Sequence, residues 1–210
     1  MAGPVGGLTK ERPFKAVTGV LVLFFLWLGG CAPIIEGLPV ESTRIKPITV
    51  LARSDIEKYV NGKLGVFPFQ GAHETAAGAS EGVGSVYYGS ILQRNVFRRI
   101  VYISQPVRTE EQALWWGRRE GCDLVMMGNI LYLLDGTGAM QTNLELEIRI
   151  LDTHSGRLAW YVQQGGASTP GHDVDFTWTT ISGDPARRFG YLAGELAGRF
   201  AEFLVEPMGK

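Results

Sequence analysis

The three histidines are the first residues to consider for chemistry, because imidazole binds metal ions and transfers protons at neutral pH. They are His73, His154 and His172, and all three lie in predicted loops. None has a cysteine or a carboxylate at the helix or strand spacing of a zinc site. His172 lies beside Asp173 and Asp175, but three such residues on one loop are more typical of a solvated loop than of a metal site. The sequence predicts no metal site.

Glycines before a predicted helix raise the question of nucleotide binding. Gly82-Val83-Gly84 follows a predicted strand, as in a dinucleotide-binding turn, but position 87 is Tyr87 instead of the third glycine and the loop is too long for a tight crossover. The chain has neither a Walker lysine motif nor a Gly-x-Ser-x-Gly elbow. With no assembled nucleophile and base, we predict a non-catalytic protein that uses no cofactor.

The amino-terminal 30 residues have the charge pattern of a signal peptide. Lys10, Arg12 and Lys15 outnumber Glu11 in the first fifteen residues, and no charge occurs from residue 16 to residue 30. The apolar run ends at Gly29-Gly30, short of the roughly 20 residues that a spanning helix needs. We therefore predict a signal peptide over residues 1–30 and leave it out of the fold.

Cys31 is a candidate for covalent lipid attachment. Leu28-Gly29-Gly30-Cys31 resembles the lipobox of bacterial lipoproteins, in which the cysteine is acylated and becomes the new amino terminus. An uncleaved anchor helix with an incidental cysteine is the alternative. Acyl chains contribute about 0.8 kcal/mol per buried methylene, so the resemblance implies a protein anchored by lipid. Ala32 stands where the family's inner-membrane retention signal has an aspartate, which favours the periplasmic face of the outer membrane.

Charge and cysteine content narrow the possible partners. Without residues 1–30 the chain keeps 17 basic and 20 acidic residues, which does not favour binding to nucleic acid. If Cys31 is acylated, Cys122 has no partner for an intrachain disulfide. Cys122 precedes the apolar residues Leu124 to Met127, so we predict a buried core cysteine rather than a reactive thiol.

The elements that must position these residues follow from hydrophobic periodicity. Residues 31–60 contain several prolines and no sustained period, and predict a lipid-anchored tether. Residues 61–210 predict a single α/β domain, a mixed β-sheet with packed helices in the order β-α-β-α-β-β-β-α. The expected elements are a strand at 64–69, a flexible loop at 71–84, a helix at 85–100, a strand at 101–103, a helix at 110–120 capped by Thr109 and stopped by Gly121, a strand at 123–134, a hairpin of strands 143–150 and 158–163, and a last helix begun by Asp184 and Pro185.

Two groups of aromatic residues are not required by this fold. Phe176, Trp178 and Ile181 lie in the loop before the last helix, where they predict a contact with the lipid interface or with a neighbouring subunit. The alternative, that Trp178 fills the core beneath the helix, stays open at this point. Trp115 and Trp116 point about 100 degrees apart on a helix, so burial of both in one core is not expected, and one of them is a candidate interface residue.

The whole pattern resembles a known group of periplasmic lipoproteins. The lipobox, "GVFPF", "GCDLVMMGNI" and "LEIRILDTHSGRLAW" are similar to the corresponding segments of lipoproteins with the fold of the TolB amino-terminal domain. The group includes the curli secretion lipoprotein, the Pel exopolysaccharide export lipoprotein and the activator lipoprotein of penicillin-binding proteins. The resemblance covers about residues 60–205 and is closest in plan to the Pel protein, since no spare pair of membrane-spanning strands is found.

The resemblance implies a non-catalytic outer-membrane lipoprotein that forms a homo-oligomeric ring and assists export of an extracellular polymer, an exopolysaccharide or a curli-like protein, toward a separate pore. The alternative that it implies is a monomeric lipoprotein that activates a periplasmic cell-wall synthase and reaches far across the periplasm. A purely structural lipoprotein is a third hypothesis. The proline-containing part of the predicted tether, the roughly twenty residues from Cys31 to Val50, has a short reach, which favours the first of these hypotheses.

Overall fold

A computed structural model describes residues 40–71, 77–136 and 139–206 of the chain. The predicted signal peptide, Cys31 and His73 lie outside the described residues. Among the residues described, no helix is both long enough and apolar enough to cross a bilayer. The strands are β1 Ser42–Ile45, β2 Thr49–Ala52, β3 Lys63–Val66, β4 Gln70–Gly71, β5 Arg99–Tyr102, β6 Leu124–Leu134, β7 Thr142–Asp152, β8 Leu158–Thr169, β9 Val174–Phe176 and β10 Thr179–Ile181; the helices are α1 Ala77–Gln93, α2 Glu110–Arg119 and α3 Phe189–Val205.

Eight of these strands form one mixed sheet in the order β1-β8-β7-β6-β3-β5, with β2 also beside β8 and β4 also beside β6. Strands β3, β5 and β6 are parallel, while β6, β7 and β8 are antiparallel neighbours. Strands β3, β5, β6 and β8 therefore run in one direction. We call the end of the sheet where these four strands finish the carboxyl end, and the opposite end the amino end.

Helices cover both faces of the sheet. Helices α1 and α3 pack together on the larger apolar face, whose core includes Tyr87, Trp160 and Phe200. Helix α2 covers part of the other face over a smaller core that contains Val125 and Leu151. The chain is thus a mixed α/β domain, as the sequence predicts.

Alternation of apolar and polar residues explains why β7 lies in the interior of the sheet with one face in the core. Leu144, Leu146, Ile148 and Ile150 are all at most 1% exposed and face α1 and α3. The polar face of β7 is only partly exposed to solvent, because Glu147 is 7% exposed. Its carboxylate is satisfied by hydrogen bonds from Tyr161 and Asn129 and by an ion pair with Arg149.

The predicted tether is too long, because part of it belongs to the sheet. Strand β1 pairs with the end of β8, from Ser42 opposite Thr169 to Ile45 opposite Gly166, and β2 pairs with β8 further along. Both strands are only four residues long, and their hydrogen bonds go to a partner more than 100 residues away. Such pairing leaves no local period in the sequence.

Helix α1 begins eight residues earlier than predicted, so much of the expected flexible loop is helical. Gly82, Val83 and Gly84 lie inside the helix, and the hypothetical nucleotide-binding turn does not exist. Glycine at position 84 is explained by close approach, since a Cβ there would lie 3.1–3.2 Å from the backbone of Phe67 to Phe69. The small residues that suggested a loop instead let the helix pack against a strand end.

Of the two predicted helix caps, Thr109 is confirmed and Asp184 is wrong. The Thr109 hydroxyl accepts a hydrogen bond from the Gln112 backbone N–H at 3.3 Å, and Gly121 ends this turn with φ of 64°. Asp184 does not cap α3, which begins at Phe189. The Phe189 N–H instead donates to Oδ1 of Asp135 at 3.2 Å, a carboxylate supplied by the end of β6.

Candidate interaction surfaces

An exposed aromatic hairpin projects beyond the end of β8. Strands β9 and β10 form a separate two-stranded sheet in which Thr179 lies opposite Phe176. The rings of Phe176 and Trp178 are stacked with centroids 5.9 Å apart, and Trp178 is 82% exposed. Ile181 is also exposed, at 37%. The structure brings the three predicted residues together and shows that Trp178 does not fill the core.

Hydrogen bonds at its base hold this hairpin. The Gly183 N–H donates to Oδ1 of Asp173 at 2.9 Å, and the Gly171 N–H donates to the carbonyl of Asp184 at 2.9 Å. The Thr180 hydroxyl donates to Asp175 at 2.7 Å across the two strands. The aspartates beside His172 are thus engaged in the hairpin itself.

The first described residues lie at the same end of the sheet as the hairpin. Glu41 accepts a hydrogen bond from the Ser168 hydroxyl at 2.6 Å and pairs with Nε of Arg187 at 3.0 Å. The Ser168 hydrogen bond, together with Arg187 and Thr43, lowers the pKa of Glu41 despite partial burial. Position 41 is therefore fastened to both chain segments that flank the hairpin, at the carboxyl end of the sheet.

A second aromatic group lies on α2, on the opposite face of the sheet from α1 and α3. The Trp115 and Trp116 rings meet edge to face at 4.8 Å, and the Arg119 guanidinium lies 5.4 Å and 5.2 Å from their centroids. Trp116 packs partly on the smaller core, whereas Trp115 is 54% exposed. The two rings are thus not buried in one core, and Trp115 is the exposed one.

A cleft of about 240 Å³ opens between the start of β2 and the neighbouring strands. Lys46, Glu145 and Gln163 are among its lining residues, and Nζ of Lys46 pairs with Oε1 of Glu145 at 2.6 Å. Both charged side chains are largely exposed, so the ion pair contributes little to stability.

Titratable groups also gather at the amino end, in the turn between β7 and β8. Nε2 of His154 lies 3.3 Å from Oδ1 of Asp123, and Asp152 accepts the backbone N–H groups of His154 and Ser155 at 2.9 Å. Sequence reasoning missed this arrangement, because Asp123 is 31 residues from His154. No group of three or more potential metal ligands occurs among the residues that the structure describes.

Cys122 is a free thiol in the smaller core, 3% exposed. Burial raises its pKa, against the opposing effect of Lys63. A buried thiol with a raised pKa is an unreactive core residue, as the sequence predicts.

No protein-family model matches the chain, and no curated protein matches its sequence. Among solved structures, the chain is similar to the PelC dodecamer from Paraburkholderia phytofirmans, with a TM-score of 0.51 and 16% identity, over 80% of this chain and 99% of that chain. The LpoB C-terminal domain from Salmonella enterica gives a TM-score of 0.38 with 10% identity, over 52% of this chain and 90% of that chain. TolB from Acinetobacter baumannii gives 0.33 with 12% identity, over 76% of this chain and 31% of that chain. The likeness to PelC shows that the two chains share a fold.

Proposed function

We propose that this chain is a lipoprotein anchored through Cys31 to the periplasmic face of the outer membrane, where a homo-oligomeric ring guides an exported polymer, most simply an exopolysaccharide, toward a separate pore. The observation that carries the proposal is the position of the exposed Trp178 hairpin beside the first described residues, at one end of the sheet. The fold shared with a dodecameric protein supports the ring.

A short tether keeps that end of the sheet close to the bilayer. Eight residues lie between Cys31 and Val40, so nine Cα-to-Cα steps join the two. Fully extended, they span about 30 Å, at about 3.3–3.6 Å per residue. A lipid on Cys31 therefore holds the carboxyl end near the membrane surface, and the hairpin is held there with it.

The exposed side chains of the hairpin suit the membrane interface. Tryptophan is favoured there because its ring is apolar while its indole N–H still finds a polar partner. Phe176 and Ile181 add apolar area beside Trp178. A lipid chain combined with a second, protein-based contact gives a firmer attachment than one chain alone.

The proposal includes no catalysis, and the residues whose side chains could take part in a reaction have structural roles. Cys122 is buried, Asp173 and Asp175 hold the hairpin, and Asp123 accepts the backbone N–H of Lys63 at the start of β3. The chain would thus contribute a surface and a position for the polymer rather than a reaction.

Light scattering tests the proposal. We would measure the mass of residues 32–210, and of the acylated protein in detergent, each beside the Trp178→Ala variant. A closed multimer of the acylated protein supports the ring, and we expect Trp178→Ala to keep that mass because the hairpin faces lipid. A monomer in both preparations contradicts the ring and directs attention to the synthase-activator alternative, which the shortened tether disfavours.

A further inference from the structure

We propose that neighbouring copies meet head to tail, with the exposed face of α2 on one copy against the exposed face of α3 on the next. The inference rests on the proposed oligomer and names the two surfaces that build it. The occupant of each surface is therefore a second copy of this chain.

Placement on the sheet makes such a contact repeatable. Helix α2 lies on one face of the sheet and α3 on the other. A contact between two different surfaces is heterologous, so each copy that accepts a neighbour on one side offers a free surface on the other. Repetition around an axis closes a ring.

Both helices run in the same direction, which is what a ring requires. Helix α2 leaves the carboxyl end after β5 and returns to the amino end before β6. Helix α3 starts at the carboxyl end, where Asp135 receives the Phe189 N–H, and finishes near Arg53, which donates to the Phe203 carbonyl. If the ring axis runs along the strands, the carboxyl ends of all copies lie on the same side of the ring. Helix α2 of one copy and helix α3 of the next then pack in parallel.

The charges on the two exposed faces are complementary in that parallel arrangement. Helix α2 carries Glu111 in its first turn and Arg118 in its last, seven residues later. Helix α3 has the reverse order, with Arg188 at its start and Glu195 seven residues later. At 1.5 Å per residue both spacings are about 10.5 Å, so one register pairs Glu111 with Arg188 and Arg118 with Glu195. All four side chains are exposed.

The same register explains the exposed tryptophan. It places Trp115 level with the stretch between Gly190 and Gly194 of the neighbour. A Cβ at either glycine would have no atom within 4 Å beyond the adjoining residues of its own helix, and Tyr191 between them is 46% exposed, so an open and partly apolar surface faces the Trp115 ring. Trp115 is held by Arg119 and the Trp116 ring, and a pre-positioned tryptophan beside arginine is the usual composition of a binding hot spot.

Cross-linking tests the contact directly. The acylated Gln112→Cys/Gly190→Cys protein, which keeps Trp115 and the four charged residues, would be treated in detergent with a short bismaleimide, with each single variant as control. Cys31 is acylated under the proposed function and Cys122 is buried, so neither competes. We expect the double variant to give a ladder of covalent multimers, and the single variants to give none beyond a dimer.

Charge reversal gives a second, independent measurement. We expect Arg118→Glu alone and Glu195→Arg alone to shift the mass toward monomer by light scattering, and the double variant to restore the multimer. If the wild type is a multimer, but the double-cysteine variant gives no ladder and the double charge reversal does not restore the mass, the proposed interface is overturned while the ring stands. A wild-type monomer overturns the ring and the interface together.

Discussion

A buried glutamine joins the sheet to both helices on its larger apolar face. Oε1 of Gln164 accepts the Tyr87 hydroxyl of α1 at 2.8 Å, and Nε2 donates to the Leu196 carbonyl of α3 at 3.1 Å. Tyr87 is fully buried and Gln164 is 4% exposed. In such a setting a lost partner costs more than the hydrogen bond contributes, because the remaining polar group is left unsatisfied.

Gln164→Leu should therefore lower the free energy of unfolding by about 1–3 kcal/mol. Adding Tyr87→Phe removes the stranded hydroxyl, so we expect the double variant to regain part of the loss in a denaturant titration. Strict additivity of the two single losses would show that the side chains act independently.

Asp123 should make stability depend on pH. The Lys63 backbone N–H donates to its carboxylate at 2.8 Å, and this bond, with help from His154, lowers the pKa of Asp123 against the effect of burial. A lowered pKa in the folded state means that the stabilisation is present above the ordinary aspartate pKa of about 4 and disappears as the pH falls through the folded value.

We expect the denaturation midpoint of the wild type to fall more steeply below about pH 4 than that of Asp123→Asn, which keeps an acceptor for the Lys63 N–H but does not titrate. Asp152, whose pKa is also lowered, contributes to acid sensitivity in both proteins. If the denaturation midpoints of the two proteins fall in parallel with pH, Asp123 does not contribute to the acid sensitivity.

At the scale of elements, two glycines of α1 should respond in opposite directions to the same substitution. Gly82 is exposed and a Cβ there would meet nothing within 4 Å, so Gly82→Ala should stabilise the helix by about 0.5–1 kcal/mol. Gly84 lies against the backbone of Phe67 to Phe69, and Gly84→Ala should cost about 1–3 kcal/mol through overpacking. Thermal unfolding of the matched pair checks both signs, and equal shifts would contradict the close packing.

These elements also show what the sequence could and could not predict. The alternation in β7 and the Thr109 cap act between residues close in the chain, and both were predicted. The start of α3 was not, because its carboxylate partner Asp135 is 54 residues away. Strands β1 and β2 exist only through β8, and the closeness of Gly84 to Phe67 is set by tertiary packing. Pairings of this kind leave no local pattern.

At the scale of the whole molecule, the candidate surfaces also combine features that the sequence predicts with features that depend on contacts between distant residues. A predicted loop position made Trp178 a candidate interface residue, and helix geometry did the same for one of Trp115 and Trp116; in the structure Trp178 and Trp115 are exposed. That the Trp178 hairpin shares an end of the sheet with residue 41 depends on the pairing of β1 with β8 and on the Glu41 contacts with Ser168 and Arg187. The two aromatic groups lie on different elements, which suits different roles, one toward lipid and one toward a neighbouring copy.

Fluorescence quenching separates these two roles. In acylated protein on vesicles that contain lipids brominated near the headgroup, Trp178 should be quenched, because the proposed lipid anchor and the proposed membrane contact of the hairpin place it at the interface. We expect Trp178→Phe to abolish most of the quenching and Trp115→Phe to leave it unchanged, since α2 faces a neighbouring copy in the proposed ring and Trp160 is buried in the core. Quenching that survives Trp178→Phe but is lost with Trp115→Phe would place α2 against the membrane, and would overturn both the proposed orientation and the proposed contact between copies.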